Sequence, residues 1–231
     1  MRVAIVQSNY IPWKGYFDLI ASVDHFVLYD EVQYTRRDWR NRNRIKTTGG
    51  VRWLTIPVQT KGAYTQRIDE TRIADPGWAR SHWSTIQQAY RDAPAFAETT
   101  ALLAPQYERF ADDLLSDVNE ALLRCICEQL QITTAISRST DHPGVTGRSE
   151  RLLSICSAVG ASEYVSGPAA RAYIDVDLFA RAGVDVEWFD YSGYREYPQL
   201  HGAFVHEVSV IDLLFNTGPR SREWLLAGVC A

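Results

Sequence analysis

The chain has 231 residues, is 46% hydrophobic and 12% aromatic, and carries a formal net charge of −4 with a pI near 5.7. That length suits one domain with a sizeable core, and the acidic balance excludes a general attraction to nucleic acid or to an anionic membrane surface. No run approaches the roughly 20 apolar residues of a membrane span, and Gln7 breaks the first apolar run too early for a secretory leader.

Residues 3–6 form an apolar run of strand length. Gln7, Ser8 and Asn9 punctuate it, and Pro12 and Gly15 mark a tight turn or a close backbone approach. Tyr16, Phe17, Leu19, Ile20 and Val23 then give helical spacing, and residues 25–29 a second strand ending in Asp30 and Glu31. Strand, turn, helix and strand at this length predict a parallel pair. Ligands of such sheets lie beyond the carboxyl ends of the strands, so residues 7–15 and 30–46 are expected on one rim. Farther on, residues 52–58 and 67–73 read as strands. Asp75 reads as the cap of a helix running to about Tyr90, with Pro76 in its first turn and Trp78, His82, Ile86 and Ala89 on one face. A second helix is expected over about 105–130, its 3.6-residue period including Ala111.

The second half repeats the rhythm: strand 133–138, helix 149–159 closed by Gly160, strand 163–166, a turn at Gly167-Pro168, a short helix 177–182 and a last strand 185–191. Residues 193–207 are irregular, and Ser209 caps a final helix to Asn216. The pattern predicts an α/β class: a Rossmann-like, mostly parallel sheet flanked by helices. It also predicts one domain over 1–231, with a mainly helical insertion at about 76–131. The four cysteines, Cys125, Cys127, Cys156 and Cys230, have neither disulfide-framework nor zinc spacing. A reduced, cytoplasmic setting without metal or membrane partner is expected.

The chemistry concentrates between Arg36 and Lys46, where six basic residues accompany one acid, Asp38. If this ribbon is extended, Arg40, Arg42, Arg44 and Lys46 share one side and Asn41, Asn43 and Ile45 the other. Forked guanidinium groups suit phosphate or carboxylate; the bland alternative is a solvated charge run. Gln7, Gly15 and Tyr16 in the first turn, Asp30 and Gln33 after the second strand, and Ser166 and Arg171 after the late strand are further substrate-binding candidates on the same rim. Asp30 could equally neutralise an arginine. His82, on an apolar helix face, is either a satisfied core residue or a general base. Tyr10 and Asn43 are candidate donors to a developing oxyanion. Asp212 fits a buried pair better than catalysis. No Walker loop, dinucleotide fingerprint, serine-nucleophile or zinc motif is present, and the residues name no cofactor.

The chain resembles the WbqC-like family. The likeness rests on Gln7-x-x-Tyr10-x-Pro12-Trp13-x-Gly15-Tyr16-Phe17, on 29–34 (YDEVQY), on 39–45 (WRNRNRI), and on Trp53-Leu54-Thr55-Ile56-Pro57. Farther on it rests on Trp78 with His82, 164–168 (YVSGP), Tyr197-Pro198-Gln199 and 211–216 (IDLLFN). It implies transfer of a small acyl or aminoacyl group to an amine in surface-polysaccharide or natural-product biosynthesis. It implies no catalytic residues. A looser likeness, to nucleotidyltransferases with a His-x-Gly-His turn, places Trp13-Lys14-Gly15-Tyr16 in that slot with both histidines missing. The alternatives are therefore a nucleotide-dependent activating enzyme and a non-catalytic ligand-binding module. The expected partner is a small, phosphate-bearing substrate. An aminoacyl-tRNA or acyl carrier is a possible donor.

Overall fold

In the computed structural model, which describes residues 1–110 and 113–226, strand β1 (Arg2–Val6) leads through helix α1 (Lys14–Ala21) to strand β2 (His25–Leu28). The two strands pair in parallel, with Ala4 opposite Phe26 and Val6 opposite Leu28. β6 (Glu163–Ser166) lies on the other side of β1. β5 (Ala135–Arg138) lies outside β2, and β7 (Asp185–Trp188) outside β6. The order β5-β2-β1-β6-β7 is parallel throughout.

Alternation along the strands explains why both faces are covered. Val3, Ile5 and Val27 pack with Leu152 and Ile155 of α5 (Arg148–Val159) and Phe179 of α6 (Val176–Arg181). Ala4, Phe26 and Leu28 pack with Phe17 and Ile20 of α1 and Leu122 and Ile126 of α4 (Leu115–Gln129). This is an α/β fold with a parallel five-stranded sheet. In chain order, a separate antiparallel hairpin, β3 (Arg42–Thr47) and β4 (Gly50–Thr55), precedes helices α2 (Trp78–Tyr90), α3 (Phe96–Arg109) and α4. Helix α7 (Val210–Thr217) follows the sheet; the Ser209 side chain accepts from Ile211 N at 3.3 Å, the cap expected there.

Four expectations need correction. The helix foreseen over 105–130 is two helices: α3 starts at Phe96 and carries Pro105 inside it, Phe110 is extended, and α4 starts at Leu115. Residues 67–73 form a 3-10 turn, Ile68–Glu70, flanked by isolated bridges rather than a strand. Asp75 accepts from Gly77 N at 2.8 Å just ahead of α2, so Pro76 precedes the helix. The last strand stops at Trp188. Ala111 and Cys230 lie outside the described residues; Cys125, Cys127 and Cys156 are buried free thiols. Among the described residues no helix is long and apolar enough to cross a membrane.

Candidate functional site

From β1 the chain turns to β2 on one side, while β6 is added on the other. Connections leaving neighbouring strands in opposite directions open a crevice at their carboxyl ends. A cavity of about 630 Å³ lies there. Val6 and Gln7 leave β1 into it, Tyr29 and Gln33 follow β2, Ser166 and Gly167 end β6, and Arg148 opens α5. Among the described residues Arg148 is the only charged side chain of the lining, and its guanidinium lies 5.2 Å from the Tyr173 ring, another wall. No hydrogen bond to a described residue engages the Gln7 amide, whereas Gln33 Nε2 donates to Tyr64 O at 2.8 Å. Burial raises the Tyr29 and Tyr164 phenols, which therefore stay protonated as donors. A lining of one cation and several neutral donors suits an anionic or polar ligand.

A second cavity, of about 250 Å³, lies where the first turn meets the hairpin. Asn9, Pro12 and Trp13 form one side and Trp39, Asn43 and Arg44 the other, with Glu207 at the edge. The turn and the ribbon thus face each other, as the sequence suggests. The side chains divide differently. Arg40, ahead of β3, turns inward: its Nη1 donates to Ser8 O at 3.3 Å and to Asn9 Oδ1, tying down the loop after β1. Arg42 lies on the Trp53 ring at 4.2 Å and donates to Arg37 O. Lys46 is buried, its ammonium donating to Gln199 Oε1 at 2.8 Å, Gly202 O at 3.2 Å and Ala203 O at 2.6 Å. Arg44 alone of the three arginines reaches the cavity.

The first turn is held by its own residues. Asp30 Oδ1 accepts from Ser8 N at 2.7 Å; burial raises its pKa, so Asp30 orders the loop rather than pairing closely with an arginine. Tyr16 OH donates to Gln7 O at 2.9 Å. A Cβ on Gly15 would sit 2.3 Å from Trp13 Cζ2, so the glycine admits the indole. Lys14 Nζ donates to Arg195 O at 2.9 Å, 5.0 Å from the Tyr194 and Tyr197 rings. Lys14 and Gly15 are both engaged in packing, which leaves neither for a phosphate.

His82 and Tyr10 are core residues. The imidazole is 7% exposed, with Nε2 3.2 Å from Thr55 O and Nδ1 2.9 Å from Tyr10 OH. Because a carbonyl only accepts, Nε2 carries the hydrogen and Nδ1 accepts from Tyr10, whose oxygen takes the Tyr107 hydroxyl at 2.7 Å. Burial lowers the His82 pKa to about 4. This neutral imidazole has both nitrogens occupied and lines neither cavity. Asn43 borders the smaller cavity, but its amide is committed: Nδ2 donates to Tyr10 O at 3.1 Å and Ile11 O at 3.0 Å, and Oδ1 accepts from Arg44 N at 2.8 Å. Asp212 is a buried acceptor for Tyr90, Tyr197 and Gln199.

The candidate residues therefore separate. Gln7, Gln33 and Ser166 meet in the larger cavity and Asn43 and Arg44 in the smaller. Gly15, Tyr16, Asp30 and Arg40 support the loop between them. Arg42 stacks outside, and Arg171 lies 5.4 Å from the Trp188 ring, in neither lining. Sequence reasoning missed Arg148, Tyr173, Trp13 and Glu207 as lining residues. Arg148 had a usable signal: it opens the helix that follows a parallel strand, on the side where ligands gather.

The WbqC-like protein family model matches residues 7–224, from the glutamine at the mouth of the larger cavity nearly to the end of the described chain. A relative from Mycobacterium tuberculosis, the uncharacterized protein Rv1507c, is 51% identical over 224 residues, covering 97% of each chain. No solved structure matches. Since the matched span holds the hairpin, four of the five sheet strands and all of both cavity linings but Ile5 and Val6, this chain belongs to the WbqC-like protein family.

Proposed function

We propose that the protein is an enzyme transferring a small acyl or aminoacyl group to an amine in polysaccharide or natural-product biosynthesis, with the anionic part of one reactant held in the cleft between β1 and β6. The observation that carries this reading is the cleft itself: about 630 Å³ at the reversal of strand order, with Arg148 as its sole charge and Gln7 in its lining, the Gln7 side-chain amide unengaged among the described residues. Arg148 would bind carboxylate or phosphate, and Gln7 with the Tyr29 phenol would donate to the oxygen that becomes negative as the amine attacks. Among the described residues no imidazole or carboxylate lines the cleft. The proton shed by the amine therefore goes to the leaving group of a donor that arrives already activated, an ester or thioester. The N–C bond forms as the C–O or C–S bond breaks.

A thermal-shift screen over nucleotides, sugar nucleotides, acyl carriers and amino acids tests the cleft. A ligand at a hundredfold its Kd adds about 2.7 kcal/mol. The stabilisation is expected to vanish in Arg148→Ala and to shrink in Gln7→Ala. Ligands that stabilise all three proteins equally would place binding elsewhere.

A further inference from the structure

The smaller cavity has no part in that chemistry, yet it is the more deliberately built. One wall is Trp13, fixed by the close approach over Gly15 and by the Tyr191 and Tyr194 rings at 5.5 and 5.3 Å. The opposite wall is Trp39, 40% exposed, 5.4 Å from Trp53 and 5.7 Å from the Arg44 guanidinium. Between the walls, beside Pro12, the backbone is strained: Ile11, β-branched and fully buried, has φ 37°. Three hydrogen bonds hold it or its neighbour: Asn43 Nδ2 and Ser209 Oγ, at 3.0 and 2.6 Å, donate to Ile11 O, and Val210 N, at 2.9 Å, donates to Pro12 O. A β-branched residue in that region is strained and persists where the surroundings over-determine it, commonly at ligand sites. Here the strain presents Pro12 and Trp13 to the cavity.

From this geometry we propose that the cavity between Trp13 and Trp39 is a second binding site, one that takes the aromatic base of a phosphate-bearing ligand, a nucleotide or the nucleotide end of a larger carrier. Two indoles bordering 250 Å³ offer π-faces to a planar ring. Arg44 stands at the edge of the cavity with its buried Nε unpartnered among the described residues, and its ion pair to Glu207 is loose at 4.0 Å, the Glu207 side chain 73% exposed. A phosphate displaces such a carboxylate readily, because a surface pair is weak and a phosphate accepts the guanidinium fork in two bonds. Base on tryptophan and phosphate on Arg44 satisfy both halves of the lining. The proposal rests on the transferase reading only in naming its use: Gln7 belongs to the cleft and Asn9 to this cavity, so the loop 7–9 joins them. A donor held by its nucleotide end here is placed to offer its acyl group there.

The test is calorimetric titration of the full chain with ADP, with adenosine and pyrophosphate as half-ligands, and with a short single-stranded RNA ending in adenosine. ADP is expected to bind at least tenfold more tightly than either half-ligand. Trp39→Ala should weaken it roughly tenfold or more, the order of one base–aromatic stack. Glu207→Gln should strengthen it severalfold by freeing Arg44, a gain that no folding defect imitates. Binding of ADP identifies a soluble nucleotide source; binding of the RNA alone, lost in Trp39→Ala, identifies an RNA end, and both support the site. No binding by either probe, or affinities unmoved by Trp39→Ala and Glu207→Gln, overturns it. Loss in Arg148→Ala but not in Trp39→Ala would put the base in the cleft, overturning this inference while sparing the transferase reading.

Discussion

A histidine that is a catalytic candidate in sequence and lies buried and hydrogen-bonded in the fold leaves a measurable trace. His82 stays neutral in the fold to about pH 4, where an unfolded histidine takes up its proton near 6.5. Between those values the unfolded chain binds more protons, so unfolding free energy rises with pH and is lost as pH falls. The full effect is about 3 kcal/mol. Asp30 and Asp212, raised by burial, act in the opposite sense, each favouring the fold on the acid side. The clean readout is therefore a difference. Denaturation from pH 7 to 4 should show a smaller loss in His82→Gln than in the unaltered chain; equal losses would remove the buried-imidazole account. Tyr10→Phe should cost about 1–3 kcal/mol, because it strands His82 Nδ1. Its effect on transfer should be small beside that of Arg148→Ala. Gly15→Ala, with a Cβ 2.3 Å from the Trp13 ring, should destabilise by roughly 1–3 kcal/mol and weaken ADP binding. Neither chain spacing nor apolar patterning could separate these roles. Spacing put His82 on a helix face with Trp78, and only the partners, Thr55 O and Tyr10 OH, say that the face is sealed.

At the scale of elements, the hairpin shows how far alternation carries a sequence reading. Arg42 and Arg44 point one way from β3 and the buried Asn43 and Ile45 the other, as period two requires. At both ends the side chains end up largely covered for physical reasons other than parity. Arg40 lies outside the strand and turns to the carbonyls after β1; Lys46 keeps the parity but is roofed by residues 199–203. That roof yields a prediction. Lys46→Met removes the donor to Gln199 Oε1, Gly202 O and Ala203 O, and amide exchange across 199–206 should quicken while β1 and β2 stay protected. Uniform quickening would mean that Lys46 holds the core instead. Strands β1 and β2 were legible because each is a short apolar run bounded by turn residues. The break between α3 and α4 was not, because Leu103, Tyr107, Phe110, Leu115, Val118 and Leu122 are all buried and keep an apolar rhythm across it. Pro105 misled in the same way: a proline is commonest in a first turn, and here it lies inside α3.

For the molecule as a whole, the α/β class and the shared rim were readable from the β1–α1–β2 unit, since parallel pairing leaves its loops at one end. The position of β6 beside β1 was not readable, because no local pattern fixes strand order. That order makes the crevice, and with it the importance of Arg148, which sequence alone left in the loop ahead of a helix starting at Ser149. Net charge −4 describes the surface in sum and conceals two small mouths, each with an arginine in its lining. The decisive measurement is hydrogen exchange of the full chain with and without a ligand drawn from the thermal-shift screen. Ligand in the cleft should slow exchange at residues 6–8, at 166–173 and at the first turn of α5 around Arg148. Slowing confined to other surfaces, with those three segments unchanged, would contradict binding in the cleft.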